Sequence, residues 1–145
     1  MSTADKIATV LKLTSYDFDP GATTETEIAW VDMTDFTGLL VQFFRTIGTG
    51  AVTLRIMANT TATGSGTDVA IITKTVSAEP DAVGDYIFLE TDSQAIAAAA
   101  AAAGVSGVRY VTAVVSSATA TDEGVVTYVR TAMRPQDGLT ADLVA

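Results

Sequence analysis

The side chains best suited to chemistry in this chain are carboxylates, and they come in close pairs. Asp17 and Asp19 lie in "YDFDPG" (16–21), Asp32 and Asp35 in "DMTD" (32–35), and Asp122 and Glu123 in "TDEG" (121–124). Calcium is held by oxygen ligands drawn from such loops, but none of the three meets the EF-hand spacing. Two carboxylates also suffice for glycoside hydrolysis, which requires no histidine. Its acid must sit in an apolar pocket that raises the pKa, and linear spacing cannot supply one. Asp and Gly favour turns for conformational reasons, so solvated turns are expected at all three places. The glycine stretches "GTGAV" (48–52) and "GSGTD" (64–68) lack the lysine and the serine or threonine of a phosphate loop and read as turns as well. "NTT" (59–61) matches a glycosylation acceptor, which matters only on an exported eukaryotic chain.

The missing residue types narrow the chemistry further. Histidine and cysteine are both absent. That removes the commonest general base near neutral pH, the usual triad base, the commonest transition-metal ligand, thiolate zinc sites and disulfides. No catalytic residue, metal ligand or cofactor-binding residue is therefore assigned, and no enzyme activity is expected. Net charge is -9, and the only lysines are Lys6, Lys12 and Lys74. No basic cluster exists to neutralise a phosphate backbone, so nucleic acid is not an expected partner. Asp5, Lys6 and Lys12 fall where a signal peptide needs an apolar core, so no export signal is expected. The longest uncharged runs are alanine, glycine and serine, so no membrane partner is expected and the protein should be soluble.

Such a chain offers surface rather than reactivity, and its elements must be read for what they present. At 145 residues, 48% apolar and 17% charged, it has the length and composition of one globular domain. Runs rich in Val, Ile, Thr and aromatics recur between clusters of Gly, Asp, Ser, Thr and Pro, and about eight strands can be counted by that template. In "ETEIAWV" (25–31), Thr26, Ile28 and Trp30 share one face. In "AVTLRIMA" (51–58), Val52, Leu54 and Ile56 point inward. "IATVLKL" (7–13) should send Ile7, Leu11 and Leu13 one way and Lys12 the other, as on a half-buried strand. Further strands are expected at 69–76, 85–90, 108–116 and 125–132, with residues 59–68 as an exposed loop. The predicted core includes Ile28, Trp30, Val41, Phe43, Val52, Leu54 and Ile56.

"GLLVQFFR" (38–45) is apolar on both faces, with Leu39, Val41 and Phe43 on one side and Leu40 and Phe44 on the other. The glycines at 48 and 50 suit a tight turn, so residues 38–58 are expected to form a hairpin. One segment differs from all the others. "DSQAIAAAAAAAG" (92–104) has a capping Asp92 or Ser93, seven consecutive alanines and Gly104 for a left-handed stop, which predicts a helix over residues 93–103. It would span about 16 Å at 1.5 Å per residue. A rod that short is marginal alone in water, so packing must hold it.

The helix is the local candidate to cover the second face of 38–45, yet alanine supplies little apolar area and would leave parts of Leu40 and Phe44 bare. A partner could complete the cover. The candidate interface is therefore Leu40, Phe44, Ala98 and Ala101, joined by Arg134, Leu139 and Leu143 of a tail, residues 133–145, that reaches across as an arm. Trp30, Tyr86, Tyr110 and Tyr128 could instead form a sugar-stacking platform, although a position inside a strand makes core packing the expected role of each.

Residues 31–76, a hydrophobic strand, a glycine turn, an alternating strand and a polar loop, resemble small bacteriophage virion proteins of the capsid decoration or cement type. "YIFLETDSQAI" (86–96) and "GVRYVTAVVSSATATDEGVVTYVRTA" (107–132) are similar to the second half of those proteins, where an arginine-aromatic strand pair closes the sheet. The resemblance implies a β-rich module on the capsid exterior that binds the major capsid protein and locks neighbouring subunits, as a homotrimer or homodimer. A tail or fibre-associated protein and a carbohydrate-binding sandwich are the alternatives. The expected fold is all-β: an antiparallel β-sandwich, jelly-roll-like, with one short Ala-rich helix. Residues 1–132 should form a single domain with an N-terminal arm.

Overall fold

A computed structural model describes residues 7–76 and 84–135. The elements run β1 (Ile7–Phe18), β2 (Thr26–Glu27), β3 (Val31–Asp32), β4 (Gly38–Ile47), β5 (Val52–Asn59), β6 (Val69–Val76), β7 (Tyr86–Asp92), α1 (Ser93–Ala102), β8 (Tyr110–Ser117) and β9 (Glu123–Pro135). One sheet has the order β1-β9-β4-β7; the other has β2-β8-β5-β6, with β3 also on β8. All the pairings are antiparallel. The first strand pairs with the last, β2 and β3 with β8, β4 with β7, and β5 with β6. The chain is thus one long antiparallel ribbon with the β5–β6 turn at its tip, rolled until β9 meets β4 and β8 meets β5. That is a jelly roll.

Period-2 alternation fills the space between the sheets. Val41, Phe43, Val126 and Tyr128 from one sheet face Val52, Leu54, Ile56, Val111, Ala113 and Val115 from the other, all fully buried. Each fully buried Val, Leu, Ile or Phe contributes about 1.5–3 kcal/mol over leaving it in water. Phe18 and Phe43 meet edge to face at 5.6 Å. Tyr128 is the one core aromatic with a polar tip, and both its hydrogen-bonding roles are used: Oη donates to the Ala29 carbonyl at 3.0 Å and accepts from the Ala113 N–H at 2.8 Å. Burial pushes its phenol pKa up.

The expected hairpin over 38–58 does not form. β4 pairs with β7 and β9, whereas β5 pairs with β6 and β8, so residues 48–51 carry the chain from one sheet to the other. The glycines serve a corner. Gly48 has φ of 99°, and a Cβ there would collide with the Asp122 carboxylate. That carboxylate is fully buried with Arg45, 3.0 Å away, and also accepts from the Gly50 N–H at 3.0 Å and from the Ser117 hydroxyl. Burial pushes the Asp122 carboxyl up, but the Ser117, Arg45 and Gly50 donors outweigh it and hold the pKa below its ordinary value. The corner is tied by a buried ion pair where a hairpin would have used backbone ladder bonds.

Helix α1 matches its sequence signals. Asp92 caps it, accepting from the Ala95 N–H at 2.7 Å. At the other end Gly104 adopts φ of 70°, Gly104 N–H bonds the Ala101 carbonyl and Val105 N–H bonds the Ala100 carbonyl, the paired bonds of a Schellman motif. The helix buries Ile96 and Ala100 and packs against β6 and β7 while carrying the chain from one sheet to the other. It closes one end of the sandwich. It does not lie over Leu40 and Phe44, because those side chains project from the outside of β4, away from the core that Ile96 enters.

Three further expectations are corrected. Leu11 and Leu13 are 60% and 58% exposed. The register sets them beside Thr131 and Val129 on the outer face, while Lys12 sits opposite the inward Arg130. Ile28 and Trp30 are only partly buried, since regular pairing lapses over residues 28–30 between β2 and β3, although the Ile28 N–H still bonds the Ala113 carbonyl at 2.9 Å. Trp30 lies instead under the 59–68 loop, where a Cβ on Gly64 would come within 2.6 Å of the indole nitrogen. Strand β9 runs to Pro135, past the expected tail boundary at residue 132.

Candidate interaction surface

The two outer faces of the sandwich differ. On the five-stranded sheet the outward side chains are largely paired polar groups: Thr53 with Thr75 at 3.1 Å, Arg55 with Glu25 at 3.2 Å, and Trp30 Nε1 donating to Glu27 at 3.1 Å. On the four-stranded sheet the register generates rows across all four strands. Leu13, Val129, Leu40 and Glu90 form one row; Ser15, Thr127, Gln42 and Phe88 the next; Asp17, Val125, Phe44 and Tyr86 the third. Phe44 is 40%, Phe88 44% and Tyr86 57% exposed. Tyr86 and Phe88 stack with ring centroids 6.5 Å apart and an interplanar angle of 25°. A polar seam, in which Ser15 and Thr127 share a 2.9 Å hydrogen bond, crosses this face, and the apolar rows on either side of it end in Glu90 and Asp17.

A cleft of about 890 Å³ opens beside the helix, lined by Met33, Phe36, Ile96, Ala100, Ala101 and Val108 among others. Arg109 and Asp32 stand at its margin, joined by contacts of 2.5, 3.0 and 3.1 Å. The Arg109 guanidinium holds the Asp32 carboxyl well below the usual carboxylate range. Arg130 reaches the Asp32 carbonyl at 2.7 Å and lies over the Phe36 ring at 4.9 Å.

Of the seven residues singled out in the sequence as an interface, the structure brings Leu40 and Phe44 onto one exposed face. Ala98 and Ala101 are exposed on the helix, where Ala101 borders the cleft. Arg134 lies on β9 opposite Ala8, and Leu139 and Leu143 lie outside the described residues. The four aromatics of the sugar platform do not assemble: Tyr128 is buried, Trp30 and Tyr110 belong to the five-stranded side, and Tyr86 stands on the opposite face. The sequence reading missed Leu11, Leu13 and Phe88 as surface groups. For Phe88 the signal was present, since Glu90 shares its parity while Ile87 and Leu89 take the other. Among the acidic pairs, Asp122 is bound by Arg45 and Asp32 by Arg109, and among the described residues no group of three acidic, histidine or cysteine side chains gathers. No helix among these residues is long and apolar enough to cross a membrane.

No family model matches the sequence, and no curated protein matches it. Among solved structures the fold is similar to that of Bacillus endospore appendages, at 16% identity over 86% of this chain and 88% of that one, with a TM-score of 0.48. The SPBc2 prophage-derived protein YomS is similar at 16% identity over 85% and 96%, TM-score 0.47. The decameric BFDV capsid protein is similar at 12% identity over 88% and 98%, TM-score 0.46.

Proposed function

We propose that this protein is a non-enzymatic structural component of a phage virion, a decoration or cement protein. In this reading it docks on the major capsid protein at the capsid exterior through the outer face of the β1-β9-β4-β7 sheet. The observation that carries the reading is the contrast between the two faces: one presents Leu13, Val129, Leu40, Phe44, Tyr86 and Phe88, the other a set of paired polar groups. A large exposed apolar patch on a folded domain marks a contact surface. The resemblance of residues 31–132 to decoration proteins supplies the kind of partner. Mixing the purified protein with capsids that lack it should give stoichiometric co-sedimentation and a higher temperature of capsid disruption, by linkage to the assembled state. Protein that remains in the supernatant at about micromolar concentration removes the cement reading. Binding to isolated tails in place of heads would move the assignment to a tail component.

A second reading, a carbohydrate-binding sandwich, is favoured by the exposed Tyr86–Phe88 stack, because aromatic faces are the usual platform for sugar rings. A glycan array separates the two: saturable glycan binding lost in Phe88→Ala supports the second and not the first.

A further inference from the structure

We infer that two copies of this chain associate through β1, edge to edge and antiparallel about a two-fold axis, joining their four-stranded sheets into one. Strand β1 spans 12 residues and, among the described residues, is hydrogen-bonded on one side only, to β9. An edge of that length is a template for another strand unless something blunts it: a proline, a bulge, a row of charges, or shortness. The other edges carry such devices. β2 and β3 are two residues each, the β5–β6 pairing is broken by a bulge between Ile56 and Met57, and β7 carries Glu90 and Asp92 on its outward side. β1 contains no proline and its register with β9 runs unbroken from Ile7 to Phe18; its charges are limited to Lys12 on the inner side and Asp17 near the end of the outer side, which leaves Leu11 and Leu13 exposed along the middle of the edge.

The occupant follows from the strand itself. A two-fold between antiparallel copies centred on residue k pairs residue i with 2k − i, so odd positions meet odd and even meet even. The exposed side, Leu11, Leu13, Ser15 and Asp17, therefore continues into the same side of the second copy, as a half-buried sheet requires. Centring on Lys12 or on Leu13 gives the longest overlap of the two strands. The first sets Lys12 against the second copy's Lys12, and like charges directly opposite are destabilising. The second sets Leu13 against the second copy's Leu13, Leu11 against Ser15, and Lys12 against the neutral Thr14. The register centred on Leu13 is the one the residues select, and it merges the two apolar outer faces into one surface on a single side of the dimer.

Sedimentation equilibrium of the full chain over about 1–100 μM should show a concentration-dependent dimer. The chain has no cysteine of its own, so a single Leu13→Cys change reports the register directly. Opposed residues on antiparallel strands bring their Cα atoms to about 4.5–5.5 Å, within disulfide reach, and mild oxidation should give a covalent dimer. Asp17→Cys should not, because in this register the two copies of residue 17 lie about 27 Å apart along the strands. A monomer at every concentration overturns the inference, and so does a dimer in which Leu13→Cys fails to cross-link while Asp17→Cys succeeds. These measurements contain no capsid. Head binding is read separately from Phe44→Glu and Phe88→Glu, which lie on β4 and β7, so either reading can fail without the other.

Discussion

Arg45 and Asp122 meet at 3.0 Å with both side chains wholly removed from solvent, at the point where the chain leaves one sheet for the other. Replacing Asp122 by alanine takes the carboxylate from a buried guanidinium and also removes the acceptor of the Ser117 hydroxyl and the Gly50 N–H. A cost of about 3–5 kcal/mol in urea denaturation is expected. The double variant Arg45→Met, Asp122→Ala should lose much less than the two single losses added together, since neither charge is then left alone.

The same pair sets an acid limit. The folded pKa of Asp122 lies below its unfolded value, so its contribution is fully present above an unfolded carboxyl pKa of about 4 and is lost as pH falls through the folded pKa. Thermal melting from pH 7 downward should show the wild-type melting temperature falling on the acid side of about pH 4. Asp122→Asn should be less stable at neutral pH and show a shallower acid slope, having no carboxylate there to protonate.

Burial separates two leucines of the same size. Leu54 is fully buried, and Leu54→Ala should cost about 2–5 kcal/mol. Leu13→Ala, on the exposed side of β1, should change the stability of the protomer by about 0.5 kcal/mol or less. Equal losses at the two positions would contradict the register of β1 on β9.

Tyr128→Phe keeps the ring and deletes only the hydroxyl, leaving the Ala113 N–H and the Ala29 carbonyl without their shared partner. An expected loss of about 1–3 kcal/mol, measured by chemical denaturation, reflects those two stranded groups.

At the helix entrance, Asp92→Ala frees the Ala95 N–H and should cost about 1 kcal/mol. Circular dichroism should show the sandwich retained, because Ile96 and Ala100 still anchor the rod.

Local signals that decide a structure by themselves were legible in the sequence. Asp92, the alanine run and Gly104 specify a helix whatever surrounds them, and alternation in 38–45 and 51–58 assigned Val41, Phe43, Val52, Leu54 and Ile56 to the core correctly. Pairing was not legible. The two strands flanking Gly48 and Gly50 read as a hairpin because glycine permits a turn and a sheet-to-sheet corner equally well; what distinguishes them here is Asp122, more than seventy positions away. Leu11 and Leu13 were misplaced because the apolar side of an edge strand need not face its own core, and Lys12 can reach solvent from the inner side at the margin. Of the six apolar side chains on the candidate surface, alternation set Leu40 and Phe44 on one face of β4. The rest, on β1, β9 and β7, depended on which strands flank β4 and β9, a fact that only the rolled ribbon supplies.

The pairing of Ile7 with Pro135 also governs when the molecule can fold. Almost every ladder except β5 with β6 joins segments far apart in sequence, so loop-closure entropy must be met before the contacts repay it, and folding is expected in the slow, millisecond-to-second range of β-rich topologies. On the ribosome β1 emerges before every other described strand, yet its partner among them, β9, is the one made last. Throughout synthesis Leu11 and Leu13 belong to a strand still waiting for β9, in a growing pool of identical nascent chains, and the encounter that orders β1 within one chain competes with the encounter that joins two.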